Sequence, residues 1–261
     1  MKVRFWGVRG SIPSPISPAD LEGKLLRVLQ GAQGVDLADA EQVRRYLAQI
    51  PAPLRGTFGG NTSCVQVSSG DQSLILDAGS GMQRLGGAWL AADEATRARH
   101  HHIFISHLHW DHTIGLPFFA PLSDPACEVA IYGAHTGFRE GLLAQHRPPN
   151  FPVPLEGLPA RQVFRQIVPG QPLTVGPFVV DCMEMVHPGG SFAFRISDER
   201  AAVVYATDAG FPSRHGPTLS PYLAFVQAAD LLICDAQFNS QEGLHGREGW
   251  GHSSPLVGAD L

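Results

Sequence analysis

SHLHWDHTIGLP, residues 106–117, follows directly on the short apolar run IFIS (103–106). Its side chains therefore emerge where a buried strand ends. In extended chain, residues two apart face the same way, so His107 and His109 can grip one cation. The chain then has to turn at Trp110, which lets Asp111 and His112 face a second cation close by. Imidazoles combined with a carboxylate suit zinc or a similar first-row ion. Twelve histidines in 261 residues make stray ones common. Four ligand-type residues within a six-residue window after an apolar strand are much harder to obtain by accident.

The rest of the chain is what such a site needs around it. Hydrophobic residues make up 44% and charged ones only 16%, which argues for a packed interior rather than disorder. Twenty-nine glycines and 21 prolines demand many turns, as in a strand-rich α/β protein. The net charge of −5 and the absence of a Lys/Arg run disfavour large nucleic acid as a substrate. Cys64, Cys127, Cys182 and Cys234 are widely spaced, three of them in apolar runs, and are expected to be free thiols. The chain opens with MKVRFWGVRGSIP, with no apolar signal segment, and no stretch reaches the ~18 apolar residues of a membrane span. A soluble, cytoplasmic protein without membrane partners is expected.

Alternation at Val3 and Phe5 predicts a first strand. Ser17-Pro18-Ala19-Asp20 then offers a cap, a proline at the first helical position and an early carboxylate, and Leu21, Leu25, Val28 and Leu29 recur at helical spacing. A second helix is expected after Asp36, with Val43, Leu47 and Ile50 on one face and Pro51 as its stop. These helices form an insertion at about 15–55, which could serve as a lid, a homodimer surface or packing. CVQV (64–67) and LILD (74–77) predict a hairpin. Further strands are expected at 103–106, 128–132, 178–185, 192–196, 202–206 and 231–234, and helices at 137–146 and 220–229, the latter capped by Ser220. Two strand-rich halves separated by helices imply layered sheets.

HxHxDH resembles the metal-binding signature of the metallo-β-lactamase superfamily. FWGVRGSIP, RGTFGGNTSC (55–64), LILDAGSG (74–81), MVHPGGSFAFRI (185–196), YATDAG (205–210) and WGHSS (250–254) are similar to its phosphodiesterase branch, which holds the tRNA 3′-processing endoribonuclease and phosphoribosyl cyclic phosphodiesterases. The resemblance spans nearly all of residues 1–261. It implies a single domain with a four-layer αββα sandwich and a site along one edge of the paired sheets. It also implies that His187 is the third imidazole of the first metal and Asp208 a carboxylate shared by both. Read alone, His187 would be an ordinary strand-end histidine and Asp208 a cap or turn residue. His252 matches a histidine that, in phosphodiesterase relatives, stabilises the transition state or protonates the leaving oxygen, and Asp235 could orient it or simply hold a turn. Asp77 is expected to support the site from behind; Asn61 could hydrogen-bond near the site or hold a turn. Such relatives continue past this segment to a last histidine ligand. No histidine follows His252 here, so the domain is expected to be shortened at its C-terminal end, leaving Asp111, His112 and Asp208 for the second metal.

The expected function is hydrolysis of a small or cyclic phosphodiester by two divalent ions, zinc with manganese or iron as alternatives, through a metal-bridging hydroxide oriented by Asp111. Hydrolysis of another ester, a thioester or a lactam shares the motif without needing His252, and a metal-binding or sensing protein of low turnover is the other alternative. A di-iron oxidoreductase is disfavoured, because those generally carry a carboxylate where His109 stands.

Overall fold

A computed structural model describes residues 1–210, 219–238 and 250–260. Eleven strands and seven α-helices are assigned among them. The first sheet has the order β1 (Lys2–Gly7), β2 (Cys64–Ser69), β3 (Gln72–Leu76), β4 (His100–Ile105), β5 (Glu128–Gly133), β6 (Arg161–Gln166). Its first three strands are antiparallel, with the predicted β2–β3 hairpin pairing Val65 with Leu76, and β3 to β6 run parallel. The second sheet has the order β11 (Leu231–Cys234), β10 (Ala202–Ala206), β9 (Ser191–Ser197), β8 (Phe178–Met185), β7 (Leu173–Val175). Within it β10 and β11 are parallel and β7 to β10 antiparallel, so β8, β10 and β11 point the same way.

Alternation explains how the sheets meet. Along β8, Phe178, Val180 and Cys182 are buried while Val179 and Met183 face outward. The inward set packs on Val65, Val67, Leu74, Leu76 and Phe104 of the first sheet, forming the central core. The first sheet's other face is covered by α4 (Gly81–Ala91) and α5 (Phe138–Gln145) through Met82, Leu85, Phe138 and Leu142. The second sheet's outer face packs Val204 and Ala206 against Tyr222, Phe225 and Val226 around α6 (Ser220–Val226). The result is the expected αββα order of layers. The four cysteines are free thiols, Cys64, Cys127 and Cys182 buried.

The insertion lies between β1 and β2 as α1 (Pro18–Gln30), α2 (Ala40–Gln49) and α3 (Ala52–Arg55). The Ser17 hydroxyl caps α1 by accepting from the Asp20 N–H, with Pro18 opening the helix. Neither α1 nor α2 contains a buried residue. Two expectations need correction. The helix expected at 220–229 stops at Val226, with Ala228 at φ 55°, and Leu219 rather than Ser220 is its N-cap. The strand expected at 103–106 starts three residues earlier, because β5 pairs with it from His100 onward.

Candidate metal centre

Parallel strands gather their C-terminal ends on one edge, and the predicted ligands all leave from there. Asp77 follows β3, His107 to His112 follow β4, His187 follows β8, Asp208 follows β10 and Asp235 follows β11. The turn expected at Trp110 is a single 3₁₀ turn, Trp110–His112. It turns the chain over so that Asp111 and His112 are buried beside His107.

Among the described residues three groups of ligand atoms result, each with its atoms within 4.8 Å of one another: His107, His109, His187 and Asp208; Asp111, His112 and Asp208; and Asp208, Asp235 and His252. Asp208 is common to all three, and its place in the first two is what a shared carboxylate requires. Its Oδ2 lies 3.3 Å from His107 Nε2, 3.4 Å from His112 Nε2 and 3.6 Å from His187 Nε2. His112 Nε2 is also 3.4 Å from Asp111 Oδ2, and His187 Nε2 is 3.1 Å from His109 Nδ1.

These separations are the test of whether a cation fits. Tetrahedral bonds of about 2.0–2.1 Å put neighbouring ligand atoms about 3.3 Å apart. His107 Nε2 and His112 Nε2 are moreover buried and lack a hydrogen-bond partner among the described residues, despite lying within ion-pair distance of Asp208. A buried ring nitrogen without a hydrogen bond costs free energy unless something else satisfies it. A divalent ion would do so for both.

The tautomers fit the same reading. His187 Nδ1 donates to Gly251 O at 2.9 Å, leaving Nε2 with its lone pair. Asp77, wholly buried at φ 59°, accepts from Ser106 N (2.7 Å), Ser106 Oγ (2.8 Å), His112 Nδ1 (2.7 Å) and the Tyr205 hydroxyl (2.7 Å). Since Ser106 Oγ spends its proton on Asp77, it accepts from His107 Nδ1 at 3.1 Å. One carboxylate thus fixes two imidazoles through Nδ1, which makes Nε2 the ligating nitrogen of each. Asp111 is held by the Ser11 N–H at 2.8 Å.

Charge follows the packing. Burial pushes the His107 imidazole down to about 4. For Asp208 burial acts upward but is outweighed by the imidazoles of His107 and His112 close against it, holding the carboxyl well below its usual range. Asp111 is lowered in the same way, burial being overcome chiefly by His112. His112 is raised because burial loses to the Asp77 charge and to its three carboxylate partners. The carboxylates are ionised and His107 is neutral, as ligands must be, whereas the raised His112 has an Nε2 proton to release before it can ligate.

His252 and Asp235 stand beside these groups. His252 Nδ1 is 2.6 Å from Asp235 Oδ2, and the His252 ring meets that of His187 edge-on at 5.1 Å. Burial lowers the His252 imidazole, yet the Asp235 hydrogen bond and charge raise it overall. Asp235 also accepts from the N–H groups of Gln237 and Ser253 and, more distantly, Ala209, so it orients His252 and holds the turn at once.

Residues 73–260 match the family model described as beta-lactamase superfamily domain. The chain belongs to the beta-lactamase superfamily. It is 27% identical over 200 residues to the Bacillus subtilis (strain 168) protein named "Probable metallo-hydrolase YhfI", covering 72% of each chain. It is also 27% identical over 203 residues to a Bradyrhizobium sp. (strain ORS 278) protein named ribonuclease Z, covering 74% of this chain and 62% of that one. The crystal structure of the short form of human tRNase Z shares the fold with a TM-score of 0.60 at 20% identity, over 99% of this chain and 86% of that one. That of YhfI does so with a TM-score of 0.55 at 24% identity, over 76% and 71%.

Within this superfamily frame, every site residue singled out from the sequence except Asn61 lies in one cluster at the strand ends. Asn61 is at the periphery: its carbonyl accepts from the N–H groups of Val8 and Arg9, and its side chain from Ser80, a turn role. Sequence reasoning missed Ser11, Ser106, Tyr205 and Gly251. Ser106 and Tyr205 stand inside quoted motifs but carry no ligand chemistry themselves. Ser11 acts through its backbone N–H on a residue a hundred positions away, which no side-chain pattern can signal. Glycine also matters here: a Cβ at Gly79 would lie 2.3 Å from Asp111 O and 2.6 Å from Ser63 O.

Proposed function

We propose that this superfamily hydrolase is a phosphodiesterase acting on small or cyclic phosphodiesters. The observation that carries the reading is the His252–Asp235 pair at 2.6 Å, beside a carboxylate shared by two ligand groups. Hydrolysis of a lactam or thioester needs no second imidazole there, whereas a departing alkoxide needs a proton. The name ribonuclease Z carried by one relative agrees with phosphodiester chemistry, and the net charge of −5 favours small substrates over RNA.

His107, His109 and His187 with Asp208 would hold one ion, and Asp111 and His112 with Asp208 the other. When bound, zinc, manganese or iron would supply Lewis acidity toward phosphate oxygens and a water nucleophile at neutral pH. The protein's own part is positioning and proton transfer. Asp235 accepts from Nδ1 of His252, so Nε2 is the nitrogen left to face substrate. The raised imidazole carries a proton there, which passes to the leaving oxygen as the phosphorus–oxygen bond breaks. Asp77 and Ser106 keep His107 and His112 in the ligating tautomer.

The test is metal content per chain together with turnover of bis(p-nitrophenyl) phosphate. Near two metals, with turnover abolished in His107→Ala and reduced in His252→Ala, is the expected result. Metal bound without turnover of any phosphodiester would overturn the reading in favour of another hydrolytic substrate.

A further inference from the structure

The inserted helices shape a second polar cavity next to the segment that holds Asp111. Its volume is about 410 Å³, and Arg9, Lys24 and Arg27 line it against a single acid, Asp20. Lys24 and Arg27 are three apart on α1 and so share one face. Lys24 is fixed: its Nζ donates to Pro53 O at 2.9 Å and Gly56 O at 2.5 Å, leaving one N–H. Arg27 spends only its Nε–H, on Gly23 O at 3.3 Å. Neither the terminal nitrogens of Arg27 nor the guanidinium of Arg9 has a partner among the described residues. Asp20 neutralises none of the three; its carboxylate accepts the Ser17 hydroxyl at 2.6 Å within the first turn of α1. In a chain of net charge −5, three cations around one cavity without an ion pair are a local exception.

The cavity adjoins the metal centre along the chain. Arg9 precedes Ser11 by two residues, and Ser11 N–H donates to Asp111, so their Cα atoms are at most about 7 Å apart. Ser14 N–H donates to Gly60 O and Arg9 N–H to Asn61 O, which fixes this segment against the opposite wall at Gly59 and Gly60.

We propose that this cavity is a binding site for a phosphomonoester dianion, held by the forked donors of Arg9 and Arg27 and the point charge of Lys24. The dianion comes either from a terminal phosphate on the substrate itself or from a free phosphomonoester; only the first depends on the phosphodiester reading.

Phenyl phosphate titrated calorimetrically into the metal-loaded protein tests the site. Arg9→Gln and Arg27→Gln should each weaken binding about tenfold or more, with Arg27→Lys restoring part of it. Both arginines are exposed, so the variants should melt as the wild type does. Wild-type affinity in both glutamine variants would overturn the site whatever the turnover. The source is read from adenosine 2′,3′-cyclic phosphate with and without a 5′-phosphate. A preference of about tenfold in kcat/KM for the 5′-phosphorylated form, lost in Arg27→Gln, assigns the dianion to the substrate. No preference, but a changed rate for the plain cyclic phosphate when phenyl phosphate is added, assigns it to a free effector. Phenyl phosphate binding that depends on the arginines, with no hydrolysis of either diester, would remove the phosphodiester reading and leave the site standing.

Discussion

Asp77→Asn separates a carboxylate that merely packs from one that sets the chemistry of its neighbours. Asparagine tolerates the left-handed backbone at φ 59° as well as aspartate does, so the turn after β3 keeps its shape. What changes is the hydrogen-bond ledger: four donors face the native carboxylate, but an amide offers one oxygen and two N–H groups. If the amide nitrogen faces His112, Nδ1 must accept, and the proton of the neutral ring moves to Nε2, the nitrogen beside Asp111 and Asp208. If it faces Ser106 N, two donors oppose each other. Either way at least one charge-assisted bond of about 1.5–3 kcal/mol goes. In a domain of this size that lowers Tm by roughly 3–12 °C. Partners of ligating histidines typically contribute 10–100-fold to metal affinity, so zinc binding measured by chelator competition should weaken by about that factor. Far-ultraviolet circular dichroism checks that the variant folds. A folded Asp77→Asn protein with wild-type zinc affinity would refute the idea that Asp77 fixes the tautomers.

His252→Ala should lower kcat on an activated diester by about 10²–10⁴-fold while metal content stays constant; loss of metal instead would recast His252 as a ligand. Gly79→Ala should destabilise the fold by about 1–3 kcal/mol and weaken metal binding, because the new Cβ meets the backbone of Asp111 and Ser63, which cannot swing aside. Equal thermal stability of this variant would contradict the close approach. Burial pushes His101 down to about 4, against about 6.5 in the unfolded chain. The unfolded state therefore binds more protons between those values, and the stability present above pH 6.5 drains away as pH falls toward 4. His101→Gln should abolish that loss, gaining ~3 kcal/mol on wild type between pH 7 and pH 4 in urea titrations; parallel pH profiles would show that His101 is not the group responsible.

What could be read from the sequence followed the strength of the local signal. The alternating and apolar strands at 64–67, 128–132, 178–185 and 202–206 stand where expected, because burial on a sheet face dictates their pattern. Helix α4 was not legible: Gly81, Gly86 and Gly87 weaken its helical reading, and it forms because Met82 and Leu85 find the first sheet to cover. Nor was β6, whose RQVFRQ alternates weakly at an edge, or the three-residue β7. In β4, three successive histidines hid the true start. His101 is buried there by edge-on contacts with Trp89 and Phe119, which only the folded layers supply.

The candidate site shows why its ligands were easier to read than their supports. A ligand must be a particular residue at a strand end, so HxHxDH announces itself. A support needs only one donor or acceptor in the right place, and Ser11, at φ 69°, provides a backbone N–H whose use no side-chain type announces. Tyr205 is the instructive case. It belongs to β10 in the second sheet, yet its hydroxyl donates to Asp77 after β3 in the first, and Phe192 N–H likewise donates to Ser106 O across the same junction. The two sheets are thus pinned to each other at the atoms that orient His107 and His112. Ligands from both halves, with Asp208 and His187 from one and the HxHxDH residues from the other, can hold separations of 3.1–3.6 Å only if the sheets cannot slide. The buried carboxylate of Asp77 is costly to desolvate, and its position at that junction explains why it is there: it couples sheet packing to the state of the ligands.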